Sequence, residues 1–216
     1  MKKRNKVFVF LFVSVLLMFN FGCATIVLGS EGSKFTGNIN VFLGSKALPD
    51  PAWKPVESQN EQGFNLNFKM SNWPISVQLE YLQSSKKGEL YGIDFEGSTQ
   101  ELNIGILKFY GKNPEKFTYF LGAGFSQISI ELDYIFHFTY AGDIKTTIEG
   151  SQMGIWASGG LMWILYEHIN LGLELKVSTA KISINEMKVN GSYTGMVTGE
   201  IEGGGFHFGA FVGYHF

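Results

Sequence analysis

From Ile169 to Val177 every second residue is aliphatic (Ile169, Leu171, Leu173, Leu175, Val177), and Asn170, Gly172, Glu174, Lys176 and Ser178 fill the alternate places. Only an extended chain, whose side chains point alternately to two faces, sorts these residues into one oily and one polar surface. The last eleven residues repeat the pattern. Phe206, Phe208, Ala210, Val212, Tyr214 and Phe216 share one face, and His207, Gly209, Phe211, Gly213 and His215 share the other.

Six further stretches alternate in the same way, which predicts eight strands. Residues 35–43 set Phe35, Gly37, Ile39, Val41 and Leu43 against Thr36, Asn38, Asn40 and Phe42. A second strand has Phe64, Leu66, Phe68 and Met70 against Asn65, Asn67 and Lys69, and a third has Ile75, Val77, Leu79 and Tyr81 against Ser76, Gln78 and Glu80. Both read as shorter than the rest. The fourth, over 101–110, opposes Leu102, Ile104 and Ile106 to Glu101, Asn103 and Gly105, with Leu107 and Phe109 blurring its faces. Residues 117–125 and 152–163 supply the fifth and sixth, the latter with Trp156 as an exception on its small and polar side.

Composition decides what could cover the oily faces. The chain is 45% hydrophobic and 15% aromatic, an aromatic load that a water-soluble interior of this size would hardly hide, and 27 of its 216 residues are glycine. A formal net charge of -2 lacks the basic excess that phosphate neutralisation requires, so nucleic acid is not an expected partner. At the amino end Lys2, Lys3, Arg4 and Lys6 precede an apolar run over 7–19 and then Gly22, Cys23 and Ala24. That order is a secretory leader, expected over 1–24, with one domain over 25–216. Cleavage after Ala24 leaves no cysteine; Gly22 before Cys23 keeps a lipoprotein alternative open, although Asn20 and Phe21 fit a lipobox poorly.

The connections are unequal. Short ones at 71–74, 111–116 and 164–168 alternate with long ones at 44–63, 83–100, 126–151 and 179–205. Trp73, Tyr110, Phe117, Tyr119, Trp163, Tyr166, Tyr214 and Phe216 gather at the short turns and the carboxyl end, as an interfacial girdle does. Tyr81, Phe64 and Phe125 are candidates for the opposite rim.

With its aromatic terminal strand and its turn and loop asymmetry, the chain resembles the small eight-stranded outer-membrane β-barrels of bacteria, the group of OmpA-type transmembrane domains, OmpX and OmpW. The resemblance implies an all-β, eight-stranded, antiparallel up-and-down transmembrane barrel with short periplasmic turns and long extracellular loops. It also implies that Phe208, Val212, Tyr214 and Phe216 form a carboxy-terminal signal read by the barrel-assembly machinery. Outer-membrane lipid and lipopolysaccharide are the other implied partners, and a monomer is the expected state.

A barrel of eight strands is narrow enough for its own side chains to fill it. The expected interior is a polar network of Lys69, Glu80, Glu101, Glu174, Lys176 and His207, in which opposite charges offset the cost of burial. Pairing of the last two strands could set Glu174 opposite His207. The histidines at 137, 168, 207 and 215 lie in no catalytic or metal-binding pattern, so no catalytic residue, cofactor or metal is expected. In the long connection 126–151, Ile128, Ile130, Leu132, Tyr134, Phe136, Phe138 and Tyr140 alternate with parity opposite to Phe125, which suggests a bulge near Ser126 and then a hairpin. Tyr134, Phe136, Phe138 and Tyr140 are its candidate binding residues for an apolar solute or surface partner. The expected function is a non-enzymatic envelope barrel whose loops meet the exterior. Alternatives are a narrow channel for small, even hydrophobic, solutes; a lipid A-modifying barrel enzyme; and a soluble lipocalin-like carrier with inverted faces.

Overall fold

In the computed structural model of the chain the described residues are 35–216, apart from 71, 114–116, 139–141, 166–167, 185 and 196–198. The leader expected over 1–24 lies outside them, as do Tyr140 and Tyr166. The strands are β1 (Phe35–Ala47), β2 (Ser58–Met70), β3 (Ser76–Leu90), β4 (Ile93–Asn113), β5 (Phe117–Phe138), β6 (Gly142–Leu165), β7 (Ile169–Thr179), the short β8 (Lys181–Ile184), β9 (Glu186–Val189), β10 (Ser192–Gly195) and β11 (Gly199–Glu202), and β12 (Phe206–His215).

Strands β1 to β7 and β12 close an antiparallel ring. Val41 of β1 faces Phe64 of β2 on one side and Val212 of β12 on the other, and Leu173 of β7 pairs with both Ala210 of β12 and Leu161 of β6. Closure leaves the spanning part of the wall with no unpaired edge, the condition for crossing hydrocarbon with strands. Phe216 is tied into the wall: its N–H donates to Gly37 O and its carbonyl accepts from Gly37 N.

Faces sort as the alternation requires. The aliphatic side of β7 points outward and its polar side is buried without exception from Asn170 to Ser178. The segment 107–109 keeps its parity: Leu107 is buried on the inner side and Phe109 packs beside it. Trp156 also points inward and is buried.

Four expectations need correction. The second and third strands are not short, having 13 and 15 residues. Their upper ends were hidden because polar residues there occupy both faces. The connection 83–100 is not an open loop but continues the wall, whereas the hairpin expected within 126–151 does form, as the upper ends of β5 and β6. β3 and β4 pair up to Leu90 and Ile93 across a two-residue turn in which Tyr91 (φ 54°) and Gly92 (φ 77°) both take the left-handed conformation of a tight hairpin. No bulge interrupts β5 at Ser126, whose register with β6 runs unbroken from Phe117↔Trp163 to Phe138↔Gly142. Finally, His207 stands opposite Lys176, not Glu174, which faces Gly209.

The parity at Ser126 did not change; the chemistry of the two faces did. Along β5 the outward residues are Phe117, Tyr119, Leu121, Ala123 and Phe125, then Gln127, Ser129 and Glu131. The inward ones pass from Thr118, Gly122, Gly124 and Ser126 to the buried Ile128, Ile130 and Leu132. β4 switches between Leu102 and Gln100, and β6 between Met153 and Ser151. Below that height the barrel is oily outside and largely polar inside; above it, a collar has the ordinary order of a protein in water. From Phe117 to Phe125 the belt spans roughly 27 Å along an antiparallel strand and roughly 20 Å once tilted by about 40°, near the ~25 Å apolar band of outer-membrane barrels.

The collar has its own core of Leu48, Trp53, Val56, Phe95, Ile128, Ile130, Leu132, Ala180, Ile182, Ile184 and Ile201. Leu48, Trp53 and Val56 come from the connection between β1 and β2, which folds inward through one 3₁₀ turn (Pro51–Trp53) capped by Asp50. The indole Nε1 of Trp53 donates to Glu202 O at 2.9 Å, and Asp50 Oδ2 accepts from Glu202 N at 2.9 Å. These bonds clasp the inserted loop to the segment entering β12. β8 pairs with β11, and β9 pairs with the upper part of β6.

Candidate functional site in the barrel interior

The inner faces bring together five of the six residues expected there. Lys176 is ion-paired with Glu80 and lies 3.7 Å from Glu174. Its ammonium also stands 5.3 Å from the centre of the Trp156 ring, a cation–π arrangement. Asn103 Nδ2 donates to Glu80 Oε2 at 2.8 Å, and Ser126 Oγ donates to Asn103 Oδ1 at 2.6 Å. Lys69 is the exception: it is half-buried at the turn-side mouth, opposite Thr36, and takes no part in this network.

A second charged group sits nearer the collar. Glu101 Oε1 is 2.6 Å from Lys46 Nζ, and His207 Nε2 is 3.5 Å from the same oxygen. His207 Nδ1 lies 2.9 Å from both oxygens of Glu61. Lys46 also donates to Thr99 Oγ1 and Gly203 O, each at 2.9 Å, and Ser178 Oγ donates to Glu101 Oε1 at 3.0 Å. Lys46 and Glu61 were missed in the sequence because both lie in a segment read as loop. The signal was present, since Lys46 extends the parity of Asn38, Asn40 and Phe42 by two more steps.

Toward the turns the interior is a ladder of amides. Asn38 donates to Asn67 at 2.8 Å, Asn40 to Asn65 at 2.7 Å, and Asn170 to Asn38 at 2.8 Å. Among these polar groups sits an apolar cluster that alternation alone does not reveal: Phe42, Leu82, Leu107, Phe120, Trp156, Met162 and Phe211. Glycines make room for its rings, and a side chain at Gly172 would run into Phe211 and one at Gly160 into Phe120. Rings and ion pairs together occupy most of the lumen.

Outside, the girdle residues pair across strands at the turn side. Tyr110 stacks on Tyr119 at 5.1 Å, Phe117 packs on Trp163 at 5.2 Å, and His168 stacks on Tyr214 at 5.3 Å. Phe64 and Tyr81 pack at 5.7 Å toward the other rim. Lys108 faces outward near the turns with its ammonium 5.3 Å from the centre of the Tyr110 ring, which suits a cation reaching for the interface from an oily surface. Phe208, Val212, Tyr214 and Phe216 all face outward and exposed.

On the collar, Tyr134 is half-buried and packs edge-on against Phe95 at 5.1 Å, whereas Phe138 near the hairpin tip is exposed. His137 bridges two carboxylates, Asp143 Oδ1 at 2.9 Å and Asp94 Oδ2 at 3.1 Å, which hold its imidazole above the ordinary histidine range, the Asp143 hydrogen bond contributing most. Among the described residues no group of three His, Cys, Asp or Glu is placed to hold a metal ion.

No protein-family model and no curated protein matches the chain. Solved structures do. A major outer membrane protein from Thermus thermophilus is 13% identical, with 86% of this chain and 100% of that chain covered at a TM-score of 0.56. For the outer membrane protein OprG from Pseudomonas aeruginosa the identity is 14%, the shares 85% and 97%, and the TM-score 0.54. Neisserial surface protein A gives 12%, 86% and 100%, and 0.51. At such identities the likeness speaks for architecture. The chain has the fold of the small eight-stranded outer-membrane β-barrels.

Proposed function

We propose that residues 25–216 are a monomeric, non-enzymatic outer-membrane barrel, exported by a leader over 1–24, whose collar carries surface contacts while its lumen stays shut. The exchange of apolar and polar faces at one height on β4, β5 and β6 carries the reading. An outer surface made of Leu171, Leu173, Leu175, Ile104, Leu121 and Ile155 is stable only against lipid, and an inner one holding Glu80, Glu101 and Lys176 only away from it. Outer-membrane lipid and lipopolysaccharide are the partners of the belt. The barrel-assembly machinery is the partner of Phe208, Val212, Tyr214 and Phe216 during insertion.

The largely filled lumen and the clasped Trp53 loop favour a closed barrel over a solute channel. The exposed collar tip at Phe138 is where a surface contact would form, with Tyr134 and Phe136 behind it. Spin labels at Leu173 and Leu175 should report bilayer contact and one at Glu174 a lipid-free interior. Fractionation should place the heat-modifiable chain in the outer membrane, and liposomes containing it should swell no faster than protein-free ones. Aqueous signals at Leu173 and Leu175 would overturn the reading.

A further inference from the structure

The buried charges of the interior do not balance. Among the described residues its buried ionisable side chains are Glu61, Glu80, Glu101 and Glu174 against Lys46, Lys176 and His207. Near the collar, Glu61 and Glu101 share Lys46 and His207. Deeper in the barrel, the single ammonium of Lys176 serves both Glu80 and Glu174. One carboxylate is in surplus, without a cation of its own. Lys69 lies at the mouth and forms no ion pair with either carboxylate.

Next to the surplus is a small cavity lined by Asn40, Asn65, Asn67, Gln78 and Glu174, with walls of Leu107, Phe109, Phe120, Met162 and Phe211. Three of its lining side chains, 2%, 1% and 3% exposed, carry oxygens with no hydrogen-bond partner among the described residues: Asn40 Oδ1, Gln78 Oε1 and Glu174 Oε1. Each is an acceptor, Glu174 Oε1 having only the Lys176 ammonium 3.7 Å away, and a buried acceptor without a hydrogen-bond donor keeps much of the penalty of having left water. What such acceptors lack is a donor or a positive charge, and the cavity they line has room for a particle about the size of one water. Water would meet the acceptors and leave the charge; a cation meets both. Amide and carboxylate oxygens are hard donors, suited to alkali and alkaline-earth ions rather than to transition metals. A surplus of one selects a single charge.

We propose that this cavity binds one desolvated monovalent cation, sodium or potassium, held by Asn40, Gln78 and Glu174. The full chain is refolded into vesicles and its urea unfolding followed by tryptophan fluorescence in sodium, potassium, choline or N-methylglucamine chloride at equal ionic strength. Sodium or potassium should stabilise saturably, raising the folding equilibrium constant about tenfold at ten times the dissociation constant, while the organic cations do not. Glu174→Gln removes the surplus and should fold, judged by heat modifiability, with no preference among the salts. Glu61→Gln, altering the other charged group, should keep the preference. Identical midpoints for wild type in all four salts would mean that water or a shared proton fills the cavity, and would overturn the proposal. So would a cation response that survives Glu174→Gln.

Discussion

Replacing Lys46 by methionine probes the buried interior most directly. The substitution keeps the length of the stem and deletes an ammonium that is 2.6 Å from Glu101 Oε1 and 2.9 Å from both Thr99 Oγ1 and Gly203 O. Glu101, 1% exposed, then has Ser178 at 3.0 Å and His207 Nε2 at 3.5 Å as its remaining partners. Removing one member of a buried ion pair costs about 3–5 kcal/mol, most of it the unrelieved desolvation of the survivor. The lower figure is expected here, because Ser178 and His207 stay within reach of the carboxylate. Replacing both members by apolar residues is often close to neutral, so Lys46→Met/Glu101→Met should be more stable than Lys46→Met alone. Equilibrium urea unfolding in lipid vesicles, read by tryptophan fluorescence and arranged as a double-mutant cycle, measures the coupling. If the double variant loses the sum of the two single losses to within about 0.5 kcal/mol, the residues act independently and the network described here is wrong.

Other perturbations address the wall, the collar and the surface. Leu173→Arg, in the middle of the outward row of β7, should destabilise the barrel in vesicles by about 2–4 kcal/mol, whereas Ser98→Arg, outward on the collar part of β4, should stay within about 0.5 kcal/mol. Trp53→Ala removes a side chain with 0% exposure and its bond to Glu202; it should cost about 3–5 kcal/mol and speed amide exchange in the collar while conductance stays at the protein-free level. His137 should titrate above the usual ~6.5 by NMR, and Asp143→Asn should bring it down. Because its folded value is raised, the stability it adds is fully present below about pH 6.5 and is lost as pH climbs through the raised value.

Periodicity reached as far as one face of a strand kept one character. In β7 the outward row is aliphatic from end to end, and its direction needed no structure. The extensions of β3 to β6 failed that test because the two faces exchange roles at the level of Gln100, Ser126 and Ser151. Read with a single rule, oily means outside, the inward Ile128, Ile130 and Leu132 demand a shifted register and hence a bulge. Read with two solvents, the same residues keep their register. The cluster of Phe42, Leu107 and Phe211 was hidden for a similar reason, since large apolar residues on an inner face look like errors of phase until the glycines opposite them are seen to make room. Lys46 and Glu61 fell beyond a strand end drawn where the oily row stopped, and the partner of His207 was misjudged by one step of two residues.

The two-solvent division also bears on where work can be done. Within the lipid belt both faces are committed: outward residues are held by lipid and inward ones by ion pairs, amide ladders and rings, so a change at either is felt as stability. The collar is different. Its inner face is closed by Trp53, Val56 and Ile182, but its hairpin tips are not, with Tyr91 94% and Phe138 50% exposed. Tyr91 stands in the two-residue turn between β3 and β4, and Phe138 pairs with Gly142 at the upper end of β5 and β6, so both are carried by paired strands. A rigidly mounted aromatic ring loses little conformational freedom on contact, which is why such rings dominate recognition surfaces. Residues at the tips can therefore change while the belt and the lumen below them stay fixed by folding.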